Sequence, residues 1–312
     1  MSIVRQQGVA LITALLIMSL LAILAATLSW ENALDVRRTM TMIYLDEGTQ
    51  AAYGAESWVS NMLRDDFRDS STDHLGEIWA AEFPILPIES ESVQGLLTGE
   101  LTDLQGRFNV NNLLDNNGDI NQRALEQFQR LLRTLDLDPR IAGVTADWID
   151  ADQDTAFPDG AEDSIYTSKL PPYRTANQPL SNVSELMAVD GMDKASYDTL
   201  APFIAALPGH TGINVNTAPA EVLVSLDEKM SAADAESLVS ERENGGFTDM
   251  KNRFATLVAP EVLDTLEETS SFFQLKVVVQ IATVRVTYYS LLFRDVGGSG
   301  EVVPILRSFG TI

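Results

Sequence analysis

Between Gln6 and Trp30 the chain carries no charged residue, and residues 9–30 form an unbroken apolar run, VALITALLIMSLLAILAATLSW. As a helix that run is roughly 33 Å long, enough to cross the hydrocarbon core of a bilayer, so it predicts a transmembrane anchor. It exceeds the apolar core of a cleaved secretory signal, on the order of 7–15 residues, and no A-x-A site closes it. Arg5 and the amino terminus precede the run, whereas Glu31, Asp35, Arg37 and Arg38 follow it with cancelling charge. That bias places the N-terminus in the cytoplasm and everything beyond Trp30 on the exported side.

The chain is a polyanion. Lys and Arg total 21 against 45 Asp and Glu, a formal charge of −24. Nucleic-acid affinity comes mainly from basic residues displacing condensed counterions, so DNA and RNA are not expected partners. Cysteine is absent and there are only 2 histidines, His74 and His210, which removes disulfides, thiolate sites and histidine-rich metal centres. Both histidines sit beside turn residues and are expected to face solvent.

Residues 29–68 contain no proline, and Met40, Ile43, Ala51, Ala55, Trp58, Val59, Met62 and Leu63 recur at helical spacing, so the anchor helix continues into the exported domain. Gly48 and Gly54 each cost about 1 kcal/mol relative to Ala and mark places for a kink. Pro84-Ile85-Leu86-Pro87 breaks the pattern. Residues 96–104 and 107–110 then read as a hairpin around Gln105-Gly106. Near the C-terminus, residues 272–293 read as one half-buried strand bent near Gln280, and Val296-Gly297-Gly298-Ser299-Gly300 turns it into an antiparallel partner at 302–307. Between them lie helical segments at 124–135, 183–187, 194–206, 220–226, 232–243 and 261–268. The fold class is therefore α+β: a long N-terminal helix on an antiparallel sheet formed by 31–111 and 271–312, split by an all-α insertion at 112–270. The insertion divides into halves of about 112–210 and 211–270.

Arg5-Gln6-Gln7-Gly8 followed by Val9-Ala10-Leu11-Ile12-Thr13 resembles the leader of type IV pilins and type II secretion pseudopilins. The strings LQGRFNVN (104–111), DWID (147–150), GAED (160–163) and GINVNTA (212–218) resemble those of the K-type minor pseudopilins of type II secretion, and with them the resemblance covers nearly the whole chain. It implies that prepilin peptidase removes residues 1–8 by cutting between Gly8 and Val9, and methylates the new terminus. Most pilin-like subunits carry Glu at the fifth processed position, where this chain has Thr13. A Glu buried in lipid is costly unless a neighbouring subunit compensates it, so a subunit without it suits the end of a filament. The resemblance further implies a tip complex with the I and J minor pseudopilins, contact with the H and G pseudopilins, residence in the inner membrane and a periplasmic C-terminal domain. The alternative machine is a type IV pilus or competence system, in which the chain would be a minor pilin.

Seven carboxylates fall between Asp147 and Asp163: Asp147, Asp150, Asp152, Asp154, Asp159, Glu162 and Asp163. No Lys or Arg occurs from Ile141 to Ser168 to neutralise them. Packing such acids without a cation raises their pKa values, and a hard divalent cation resolves the conflict by accepting six to eight oxygens, roughly what Ca²⁺ prefers. Asp150, Asp152 and Asp154 alternate, though Thr155 and Ala161 stand where an EF-hand has its Gly and Glu. The bland alternative is a solvated acidic loop; the resemblance implies calcium. The candidate ligands are Asp150, Asp152, Asp154, Asp159, Glu162 and Asp163, with Asp147 weaker. Asp115, Asn117 and Asp119 form a second, weaker candidate that reads equally as a turn capping the next helix. Segments 184–192 and 220–247 resemble helix-hairpin-helix modules in acidic surroundings, which favours protein packing over DNA contact. No G-x-S-x-G, phosphate loop or dinucleotide motif occurs, so no enzyme is expected, a hydrolase using paired Asp residues being the remaining catalytic reading.

Overall fold

The computed structural model describes residues 7–89, 94–156, 158–243 and 245–311. Residues 1–6 of the expected leader lie outside it. In chain order the elements are helix α1 (Gln7–Asp69), strands β1 (Leu86–Glu89), β2 (Gln94–Asp103) and β3 (Phe108–Asn109), then helices α2 (Gln122–Thr134), α3 (Arg140–Ile149), α4 (Asp163–Tyr166) and α5 (Lys194–Leu200). Strands β4 (Ile204–Ala205) and β5 (Ile213–Asn214) follow, with helices α6 (Ala220–Ser225), α7 (Ala232–Arg242), α8 (Met250–Phe254) and α9 (Pro260–Leu263). The chain closes with β6 (Leu266–Glu267), β7 (Phe272–Ile281), β8 (Val284–Arg294) and β9 (Val302–Phe309).

Helix α1 stays helical without interruption through Gly48 and Gly54. Gly48 lies close against the sheet: a Cβ there would stand 2.9 Å from Val286 Cγ2, so the missing side chain helps α1 settle on β8. Residues 9–33 of α1 are exposed throughout, and Thr13 Oγ1 donates to Ala10 O at 3.0 Å, a local way of satisfying a hydroxyl in an apolar helix. From Gly48 onward α1 buries Ala52, Val59 and Leu63 against Leu275, Val277, Val279 and Tyr288 of the sheet. Burial of this apolar interface drives the packing.

The sheet is antiparallel with order β1-β2-β7-β8-β9. The expected hairpin around Gln105-Gly106 does not form. β2 pairs instead with β1 and β7, and Phe108–Asn109 pairs in parallel with β4. Gly106 is pressed against Thr217, with 2.6 Å between a built Cβ and Oγ1, so the chain there enters the insertion rather than turning back. β1 lies in the stretch whose prolines read as a loop, and it tolerates Pro87 because it is an edge strand. The expected single bent strand is the hairpin β7–β8, which turns at Ala282 with φ +50°. The β8–β9 pairing forms as the sequence predicts.

A second core, separate from that beneath α1, fills the insertion from Phe108 to Leu266, with Phe128 stacked on Phe108 at 5.1 Å. The expected helix at 194–206 is shorter: α5 stops at Leu200, and Ile204–Ala205 joins β3. The expected helix at 261–268 is likewise α9 followed by β6. The module at 220–247 packs inward: Phe247 N donates to Asn216 Oδ1 at 2.6 Å, and buried Arg242 donates to Val215 O and Ala218 O at 2.8 and 2.5 Å. With its Arg spent on internal carbonyls, this hairpin has the chemistry of a packing unit rather than a phosphate reader.

Candidate metal centre

Helix α3 is buried on every side from Ile141 to Ile149, so it lacks the apolar stripe that would have announced it. Gly143 lets the returning acidic loop lie on it: a Cβ there would stand 3.2 Å from Asp159 O. Asp147 sits in the last turn of α3 and Asp150 caps its C-terminus, three residues on and therefore on the same face. The loop then folds back, with Gly160 N donating to Ala156 O at 2.7 Å, and delivers Glu162 at the residue before α4. A methyl group on Gly160 would collide with Asp147 Oδ2 and with the backbone of Ala156, so a residue with a Cβ cannot close the loop without displacing it.

One carboxylate oxygen each from Asp147, Asp150 and Glu162 lies within 4.8 Å of the others. The three residues are only 0%, 4% and 3% exposed, so water cannot screen them freely. Asp147 accepts hydrogen bonds from Ala156 N at 3.1 and 3.2 Å. Asp150 Oδ1 and both carboxylate oxygens of Glu162 are buried without a hydrogen-bond partner among the described residues. Such orphaned acceptors are costly unless something else fills their lone pairs. Burial first, then the charges of Asp147, Asp152 and Glu162, pushes Asp150 up to about 7. Burial and the charges of Asp147 and Asp152 likewise push Glu162 up to about 7. Asp147 is raised by burial and by Asp152, partly offset by the amides of Ala156 and Ala161. A set of buried, unsatisfied carboxylate oxygens with no basic residue among them fits a hard oxygen-preferring cation.

The other expected ligands are placed differently. Asp152 stands beside the cluster but is exposed, and its Oδ1 accepts from Asp154 N at 2.7 Å. Asp154 is exposed on the loop's outer side. Asp159 faces Arg140 at 3.6 Å. Asp163 is held by Thr175, whose N and Oγ1 both donate to it at 3.1 Å, and by Arg174 at 3.4 Å. Asn177 completes the wall of the loop: its Nδ2 donates to Asp152 O at 3.3 Å, while its buried Oδ1 has no partner. It was invisible to spacing arguments because it lies outside the acidic run. Asp115 accepts from Asn117 N at 2.8 Å and Asp119 N at 3.0 Å, amide bonds that hold it below its usual range. Asn121 caps α2. This second loop has the geometry of a turn closed on itself.

His210 is exposed as expected, but His74 is largely enclosed, with 18% of its side chain accessible. The loop at Gly246 covers it: a Cβ on Gly246 would stand 3.0 Å from His74 Cβ.

A helix with an exposed, bilayer-length apolar end, seated on a five-stranded antiparallel sheet, defines a pilin-like protein with a large helical insertion. Two family models described as type II secretion system (T2SS), protein K match residues 106–209 and 213–276. The type II secretion system protein K of Pseudomonas aeruginosa is 33% identical over 98% of this chain and 93% of its own length. That of Aeromonas hydrophila is 31% identical over 98% of each. Among solved structures, the GspK-GspI-GspJ complex from the type 2 secretion system of enterotoxigenic Escherichia coli contains a chain with 26% identity and a TM-score of 0.76, covering 88% of this chain and 100% of that one. The chain belongs to the type II secretion system protein K family.

Proposed function

We propose that the chain is the minor pseudopilin at the tip of the type II secretion pseudopilus, where it initiates or caps assembly and so supports protein export across the outer membrane. The observation that carries this reading is the shape of the exported part. A helical core of some 160 residues is added to the pilin-like helix and sheet, and a subunit so broad fits an end rather than a repeating position. The solved relative in complex with GspI and GspJ supports the I and J minor pseudopilins as partners; contact with the H and G pseudopilins is part of the same proposal. Prepilin peptidase would cut between Gly8 and Val9 and methylate Val9, residues 9–30 anchoring the product in the inner membrane with the C-terminal domain periplasmic. Thr13 removes the buried Glu that a subunit above would have to compensate. Its work is assembly rather than catalysis.

Calcium is the structural cofactor in this reading, held by Asp147, Asp150 and Glu162, with Asp152 beside them. When bound, it supplies positive charge to carboxylate oxygens that the fold leaves unsatisfied. The test of the tip assignment is gold labelling of a tagged full-length chain in cells that overproduce the major pseudopilin. One label at a filament end is expected; labels spaced along the shaft would overturn it.

A further inference from the structure

The polypeptide crosses twice between the sheet and the helical insertion, at residues 103–108 and 266–272, and both crossings meet at one buried polar cluster. Asp66 reaches it from the end of α1, Asp73 and Glu77 come from the following segment, and Arg294 comes from the end of β8. One carboxylate oxygen from each of the three acids lies within 4.8 Å of the others. Arg294 is fully buried and, among the described residues, is the single cation within ion-pair distance of them apart from His74, at 3.8 Å from Glu77. Its guanidinium is already divided. It pairs with Asp73 through Nη2, donates to Ser270 O at 2.8 and 3.2 Å and to Leu63 O at 3.3 Å, and stands 3.5 Å from Asp66 Oδ2. That Asp66 oxygen is buried and has no hydrogen-bond donor among the described residues.

The insertion is fastened to this cluster. Asp73 N donates to Glu268 O at 2.8 Å, Ser270 N to Asp73 Oδ2 at 2.7 Å, and Asn214 Nδ2 to Asp73 O at 3.1 Å. Asp103, at the end of β2, accepts from Thr217 Oγ1 at 2.6 Å, Ser270 Oγ at 2.7 Å and Asn214 Nδ2 at 3.0 Å. Around Asp66 the charged and titratable neighbours are therefore Asp73, His74 and Glu77 in the segment after α1, Arg294 on β8, and, one layer out, Asp103 on β2 and Glu268 before β7. Three close carboxylates against one shared guanidinium leave a charge deficit that a proton can fill.

We propose that this junction is a proton-operated latch: Asp66 carries a proton while the pilin-like and helical cores are docked, and loses it as the junction loosens. Asp66 Oδ2 is the buried oxygen without a donor, whereas Asp73 Oδ2 is met by Arg294 and Ser270, and Glu77 Oε2 by Trp79 Nε1 at 2.7 Å and His74 N at 3.0 Å. Consistent with that assignment, burial and then the charges of Glu77 and Asp73 push Asp66 up to about 7, Arg294 pulling the other way. A group raised in the docked state contributes stability that is complete at low pH and is lost as pH rises through about 7. The periplasm is open to the pH of the medium, so the latch would bind the two cores more tightly in acid surroundings.

The test is hydrogen exchange on the full-length chain in detergent with calcium saturating, at pH 6 and pH 8, after correction for intrinsic chemistry. For one linked proton, opening at residues 70–77 and 266–271 should rise about tenfold in the wild type between those values. Asp66→Asn should abolish that rise, opening less than the wild type at both values, by a factor about tenfold larger at pH 8 than at pH 6. An equal wild-type-to-variant ratio at both pH values would overturn the proposal. Should Asp66→Asn fail to fold, Glu77→Gln removes a like charge beside Asp66 and should move the midpoint of opening to lower pH; an unmoved midpoint would be equally fatal.

Discussion

Withdrawing calcium should destabilise the helical insertion, and the size of the effect follows from the acidic cluster. Two carboxylates about 4.8 Å apart repel by roughly 3 to 4 kcal/mol at an effective dielectric near 20. Asp147, Asp150 and Glu162 supply three such pairs, so the metal-free loop must take up protons, shift apart or bear the repulsion. A cation that binds the folded chain alone adds about 2.7 kcal/mol when its free concentration is a hundredfold above its Kd. For an insertion of this size each kcal/mol moves Tm by about 2–4 °C, giving a rise of roughly 5–10 °C. The assay is a thermal melt of the full-length chain in detergent at pH 8, with millimolar calcium or with excess chelator. The shift should shrink at pH 5.5, because protons compete with a metal for carboxylates. Identical melting curves in calcium and chelator at pH 8 would refute the reasoning, and magnesium matching calcium would refute the choice of ion.

Two further outcomes follow from single residues. Gly160→Ala should abolish most of the calcium-dependent shift and cost about 1–3 kcal/mol by itself, because the added methyl collides with Asp147 Oδ2 and Ala156; melts with and without calcium measure both. Glu56 ties α1 to β8 and β9 by accepting from Tyr288, from Ser290 at 2.7 Å and from Arg307 at 2.6 and 3.1 Å. Burial raises its carboxyl, but the bonds from Arg307, Ser290 and Tyr288 outweigh that and hold it below its ordinary 4.5. A depressed carboxylate stabilises above its unfolded pKa and loses that contribution as pH falls through its folded one. Glu56→Gln should therefore cost about 1–3 kcal/mol at pH 7 and progressively less below pH 4.5, read by denaturant unfolding across pH.

The parts of the fold that the sequence disclosed are those where one physical signal acts alone. Helix α1 has length, apolar content and the absence of proline, and it stays helical through Gly48, whose missing side chain lets it lie against Val286. β8 alternates cleanly and a glycine-rich turn joins it to its antiparallel partner β9. The hairpin β7–β8 was read as one strand because its turn uses Ala282-Thr283, residues without turn preference, and pairing over the whole length of both strands forces Ala282 to positive φ. β1 was missed because Pro87 reads as a breaker, a rule that does not bind an edge strand.

The acidic site was legible as a region and misleading in detail. Alternation of Asp150, Asp152 and Asp154 suggested ligands from a single loop, yet Asp154 is exposed and the gathered oxygens come from Asp147, Asp150 and Glu162. Asp147 looked weaker because α3, being buried all round, had no periodic signature to show that residues 147 and 150 share a face. Asp159 and Asp163 found partners in Arg140, Arg174 and Thr175, two of the cations lying just outside the basic-free stretch. Spacing alone cannot express such long-range pairing.

In the proposed assembly this chain joins the I and J minor pseudopilins as a calcium-loaded tip. Native mass spectrometry of the full-length chain released from detergent, mixed with the I and J subunits of the same secretion system, reads stoichiometry and bound metal in one spectrum. The account predicts a 1:1:1 complex whose mass includes calcium, with the calcium mass lost after chelation. A chain that stays monomeric and metal-free in millimolar calcium would contradict it.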